Sequence, residues 1–226
     1  MRTTNRIRRL FRPHPFGVLG RTTPLSDNWG YDRGRPIDRF YIDAFLGEHR
    51  NDIQGKALEV KENLYVDRYG TRVEQCDVLD RDAENPKATI VADLSAADAL
   101  PAELFDCIVL TQTLQYVPDV RAAIQNVKEA LRVGGVLLAT VPGVARADED
   151  PKGPSLWTFT AEGCKTLFDE EFGATNTAIR SYGNVLSAIA FVSGMAEQEL
   201  RPAELAVHDV RFPVIVAVRA VRAVRA

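Results

Sequence analysis

Four apolar stretches of this chain lead into residues that ionise or hydrogen-bond. Glu59 lies in ALEV, Asp77 closes RVEQCD, Asp93 follows TIVA, and Thr111-Gln112-Thr113 follows CIVL. In an open α/β sheet, ligands bind outside the carboxyl ends of the strands, close to the switch in strand order. A carboxylate at the end of the second strand can accept hydrogen bonds from both hydroxyls of a ribose. Asp77 stands 18 residues after Glu59, near the spacing of about 20 expected for that role. The chemistry these residue types suit is the holding of a nucleoside.

The elements that must position them alternate between strand-like and helix-like segments from residue 57 onward, the pattern of βαβ units. The strands are expected at Ala57–Lys61, Arg72–Asp77, Thr89–Ala92, Asp106–Thr111, Val136–Val141, Thr177–Tyr182 and Pro213–Ala220. CIVL and VLLATV are apolar throughout, as strands covered on both faces are, and belong at the sheet's centre. Helices are expected over about Pro36–Arg50, from the N-cap Asp119 to Gly134-Gly135, over Ala161–Phe172, and as a buried run within Val185–Met195. The fold class is therefore α/β, a doubly wound, mostly parallel seven-stranded sheet flanked by helices. The expected organisation is a basic arm at 1–25, one domain at 26–220 and a short tail at 221–226.

With 226 residues the chain can bury one sizeable core. A net charge of −3 gives no general reason to expect a nucleic-acid partner, and the cluster Arg2, Arg6, Arg8, Arg9 and Arg12 reads as a solvated arm. No apolar run is long enough for a membrane span. Three cysteines at unmatched spacings argue against a disulfide framework and a zinc site, so a reducing, cytoplasmic setting is expected and no metal. No Ser-His-Asp order or P-loop is present, and His208-Asp209 reads as a surface pair.

The segments NWGYDRGRPIDRFYI, ALEV, ADLSAADALPAELFDCIVLTQTLQYVPDVRAAI and LRVGGVLLATVPG resemble the class I S-adenosylmethionine-dependent methyltransferases, in particular the small type often encoded beside glycosyltransferases. The resemblance runs from about Asp27 to Ala220. It implies a Rossmann-like methyltransferase fold, S-adenosylmethionine as cofactor, and cofactor contacts at Glu59, Lys61, Asn63, Asp77, Asp93, Leu94 and Gln112. It departs at the turn after the first strand. The family's acidic-x-Gly-x-Gly-x-Gly is here Glu59-Val60-Lys61-Glu62-Asn63-Leu64-Tyr65, with no glycine kept. Glycine suits such a turn because positive φ is cheap without a Cβ and the ligand can approach closely.

Trp29, Tyr31 and Arg33 precede the first strand, where a lid would lie. With Thr113 and Trp157 they are the acceptor-side candidates. The function the resemblance implies is methyl transfer to an oxygen or nitrogen of a small or glycan-linked acceptor, with a glycosyltransferase as possible partner. The rival reading is a non-catalytic binding or scaffold protein of the same fold, its turn altered at Lys61 and Tyr65.

Overall fold

The structure, a computed structural model, describes residues 21–147 and 153–224. The arginine cluster of the amino-terminal arm lies outside the described residues. Seven strands form one sheet: β1 (Gln54–Val60), β2 (Arg72–Asp80), β3 (Ile90–Val91), β4 (Phe105–Thr111), β5 (Leu131–Pro142), β6 (Thr177–Tyr182) and β7 (Ile215–Val221). Their spatial order is β3-β2-β1-β4-β5-β7-β6. β1 to β5 pair in parallel, and β7 runs antiparallel to both β5 and β6. The order reverses between β1 and β4, so a crevice opens beyond Val60 and Thr111.

Among the described residues the α-helices are α1 (Ile37–Glu48), α2 (Leu64–Tyr69), α3 (Val120–Ala130), α4 (Ala161–Phe172), α5 (Val185–Val192) and α6 (Pro202–Leu205). Alternation along the central strands divides the core between two faces. Ile108 and Leu110 of β4 pack with Ile124 and Phe168 of α3 and α4, whereas Cys107 and Val109 pack with Tyr41, Phe45 and Phe191 of α1 and α5. Burial of both faces is why these strands read as unbroken apolar runs.

Local signals set several boundaries. Asp119 caps α3 by accepting from Ala122 N at 3.0 Å, and Thr160 caps α4 by accepting from Gly163 N. α4 and β6 lie where expected. Elsewhere tertiary pairing moves the ends. α3 stops at Ala130 rather than at Gly134-Gly135, because Leu131 turns extended and pairs with Phe105, beginning a β5 far longer than Val136–Val141. β2 continues three residues past Asp77, since Val78 and Leu79 pair with Glu59 and Val60 of β1. That extension moves the end of the strand, and with it the site.

Candidate functional site

The crevice at the switch point holds a cavity of about 460 Å³, within the range of small-molecule sites. Val60 and Lys61 form its wall at β1, Leu79 and Asp80 at β2, Asp93 and Leu94 beyond β3, and Gln112 and Thr113 beyond β4. The wall thus mixes apolar side chains with a few convergent polar ones. Asp80, the last residue of β2, presents its carboxylate here. One of its oxygens accepts from Asp82 N at 3.0 Å and the other from Asn85 Nδ2 at 2.8 Å. Asn85 also donates to the Lys61 carbonyl at 2.7 Å, tying the β1 turn to the β2 loop.

Asp77, by contrast, is a mid-strand residue. It is buried, lies opposite Leu58, ion-pairs with Lys56 at 3.2 Å and accepts from Thr89 Oγ1 at 3.0 Å. It does not reach the cavity, which corrects its expected place at the strand end. Val78-Leu79-Asp80 carried the missed signal: two more apolar residues precede a carboxylate 21 residues after Glu59.

Glu59 and Asn63 also lie off the cavity wall. The Glu59 carboxylate turns beneath the β1 turn and accepts from Tyr65 N and Val66 N at 2.8 to 3.1 Å, satisfying donors at the start of α2. Burial pushes its pKa up to about 7, against the pull of those backbone donors. Asn63 donates to Asp67 at 2.7 Å.

The turn without glycines keeps one glycine-like conformation. Lys61 has φ +68°, and its N–H continues the ladder to Leu79 O at 2.9 Å. Asn63 has φ −93° and Tyr65 is helical, so neither needs what glycine supplies. The Tyr65 ring is buried on the α1 face, where its hydroxyl accepts from Arg39 at 3.2 Å. The hollow beyond Val60 therefore stays open.

Asp93 lines the cavity while accepting from Ser95 N at 2.8 Å and from the Ser95 hydroxyl. These bonds hold its pKa below the usual carboxylate range. Gln112 has φ +46° directly after β4; its N–H donates to Thr140 O and its carbonyl accepts from Gln115 Nε2 at 3.0 Å. Gln112 and Tyr116 border both this cavity and a smaller one of about 90 Å³.

Trp29, Tyr31 and Trp157 line the smaller cavity. Trp29 stacks on Phe191 of α5 and under the Arg146 guanidinium, 4.5 Å from its ring centre. The next residue, Gly30, has φ +87°, and a Cβ there would lie 2.8 Å from the Met195 carbonyl, so this loop is seated by close backbone approach. Trp157 is anchored by its indole N–H to the Val117 carbonyl at 2.9 Å. Thr113 faces the larger cavity instead, and its hydroxyl donates to the Thr111 carbonyl. Arg33 lines neither cavity: it forms a two-pronged ion pair with Glu199, fastening the loop before α1 to the segment after α5. Neither His208 nor Asp209 borders either cavity, and Asp209 is paired with Arg211.

Sequence reasoning passed over Asp38, Gln115 and Arg146, all in the smaller cavity's wall. Asp38 sits three and four residues before Tyr41 and Ile42 and seven before Phe45, on the buried face of α1. That spacing was the available signal. Among the described residues there is no cluster of His, Cys, Asp and Glu able to hold a metal ion, and no helix is long and apolar enough to cross a membrane. All three cysteines are free, and burial raises the pKa of each thiol.

Residues 55–139 match the family model of the methyltransferase domain. The fold is that of an S-adenosylmethionine-dependent methyltransferase from Mesorhizobium loti, with a TM-score of 0.53 at 16% identity over 82% of this chain and 98% of that one. A Burkholderia thailandensis 1,6-didemethyltoxoflavin-N1-methyltransferase gives a TM-score of 0.52 at 14% identity, over 81% of this chain and 77% of that one. The cyclase SpnF gives 0.51 at 17%, over 92% and 91%. At these identities the likeness speaks for the fold alone, which hosts more than one chemistry. No curated protein matches the sequence.

Proposed function

We propose that the protein, whose residues 55–139 match the family model of the methyltransferase domain, moves a methyl group from S-adenosylmethionine to an oxygen or nitrogen of a small acceptor. The observation that carries this reading is the pair of adjoining cavities: a nucleoside-sized one at the switch point and a smaller aromatic one, meeting at Gln112 and Tyr116.

The residues present suit the cofactor. Asp80 has an acceptor position left on each carboxylate oxygen, matching the two hydroxyls of a ribose. Leu79, Leu94 and Val117 offer apolar surface to the adenine, with Asp93 at its edge. Lys61, exposed at the mouth, is the cation for the methionine carboxylate. When bound, S-adenosylmethionine supplies a methyl group activated by a positive sulfur. The protein's own task is to hold donor and acceptor in line and to keep water out, and preorganised contact of that kind can supply several kcal/mol, up to about 10.

Trp29, Tyr31 and Trp157 give the acceptor side flat faces on which a planar ring or the C–H face of a sugar can rest. This is the support for a small or glycan-linked acceptor, the latter delivered by a glycosyltransferase partner. Calorimetric titration of S-adenosylhomocysteine into the protein tests the reading. Binding in the micromolar range is expected, and no heat at millimolar ligand overturns it in favour of a binding or scaffold protein.

A further inference from the structure

The smaller cavity collects buried polar atoms that nothing among the described residues satisfies. Asp38 Oδ1, Gln115 Oε1 and Arg146 Nε are shut off from solvent and among the described residues have no hydrogen-bond partner, and all three residues are in its wall. Orphaned buried polar atoms are rare, because each costs on the order of 1–3 kcal/mol. Three around one cavity call for a common explanation. Two other atoms of the same kind, the Tyr41 and Tyr182 hydroxyls, belong to neither cavity wall.

The rest of each side chain is held firmly, so the free atoms are placed rather than loose. Gln115 donates through Nε2 to the Gln112 carbonyl at 3.0 Å, which turns Oε1 the other way. The other oxygen of Asp38 lies 3.8 Å from Arg39 Nε. Arg146 is stacked on Trp29 while its Nη atoms reach toward Asp27. Two acceptor oxygens and one donor thus belong to side chains that line one aromatic-walled cavity. The space, about 90 Å³, is smaller than a cavity that encloses benzene, so it takes one compact head group with the remainder at the open mouth.

Resting on the methyl-transfer reading, we propose that this cavity receives an acceptor head group bearing an O–H or N–H, that Asp38 Oδ1 and Gln115 Oε1 bind that donor while Arg146 Nε meets an acceptor atom of the same group, and that Asp38 takes the proton. As the acceptor's heteroatom forms its bond to the methyl carbon, the C–S bond breaks with its electron pair left on sulfur, giving a neutral thioether. The heteroatom's proton passes to Asp38, and water at the mouth later removes it. Burial raises the carboxyl's pKa, against the pull of Arg39, Arg35 and the backbone N–H groups of Asp38 and Arg39.

The test compares catechol with veratrole, its dimethyl ether, which has the same ring and no donor. Binding to the wild-type protein saturated with S-adenosylhomocysteine is followed by calorimetry, and methylation of catechol by mass spectrometry. A charge-assisted hydrogen bond predicts at least about a tenfold preference for catechol in the wild type, falling below about threefold in Asp38→Asn. Catechol methylation is expected to fall at least about a hundredfold in the same variant. Gln115→Leu should also weaken catechol, which serves where Asp38→Asn does not fold. No catechol binding by the wild type, or equal affinity for both probes, overturns the proposal. Unchanged preference in the variants does the same. Absent S-adenosylhomocysteine binding instead removes the reading beneath it, while the catechol preference, measured without cofactor, still reports on the cavity.

Discussion

Replacing the carboxylate at the end of β2 by an amide, Asp80→Asn, asks directly where the ribose is held. Each Asp80 oxygen already accepts one hydrogen bond, from Asp82 N at 3.0 Å or Asn85 Nδ2 at 2.8 Å, and has room for one more. A diol would fill both places. The amide keeps one acceptor and turns the other oxygen into a donor, so one hydroxyl loses its partner and faces an NH2 group. A hydrogen bond to a charged acceptor contributes about 1.5–3 kcal/mol, so the dissociation constant for S-adenosylhomocysteine should rise roughly 10- to 150-fold. Asp77→Asn is the matched control. It breaks the ion pair with Lys56 and lowers the melting temperature, yet leaves affinity within about twofold because Asp77 is off the cavity wall. Calorimetric titration reads affinity, and the heat-capacity scan of each variant confirms folding. If Asp77→Asn weakens binding as much as Asp80→Asn does, the assignment from strand register is wrong.

Lys61→Gly should raise the melting temperature by about 2 °C, since relief of about 1–2 kcal/mol of left-handed strain at φ +68° slightly exceeds glycine's greater freedom in the unfolded chain; a fall would show that the turn is not strained. Glu59 has a folded pKa near 7, above its ordinary 4.5, so its contribution is complete below pH 4.5 and is lost as pH rises through 7. Urea titrations should show the wild type losing about 3 kcal/mol relative to Glu59→Gln between pH 4.5 and 8, and parallel pH curves would refute this. Arg33→Ala should leave S-adenosylhomocysteine affinity unchanged, because the guanidinium engages Glu199 and not the cavity; a clear drop in calorimetric affinity would return Arg33 to the site.

Much of the fold was legible because its signals are local or periodic. The apolar runs CIVL and VLLATV named the central strands, and the Thr160 cap with Gly173 at φ +86° bounded α4 without reference to the rest of the chain. Asp93 and Gln112 were placed near the crevice by their positions at strand ends, Lys61 and Leu94 by the family resemblance, and Trp29 and Tyr31 beside the smaller cavity by their position before β1. What sequence could not settle was where pairing stops. Asp77 and Asp80 differ by three residues, and only the register of β2 against β1 decides which one emerges from the sheet, since backbone hydrogen bonds to a partner strand fix a strand's end.

The same reason governs the acceptor side. Residue type and spacing determined that the chain forms a doubly wound sheet with a polar crevice at its carboxyl edge, because hydrophobic periodicity is written along the chain. That Asp38, Gln115 and Arg146 converge, from points far apart in sequence, was decided by the packing of α1 and the loops after β4 and β5, and no single segment encodes a meeting of three. Tertiary structure also settled Lys61 and Tyr65: one adopts a conformation glycine would have made easy, and the other turns into the core under α1.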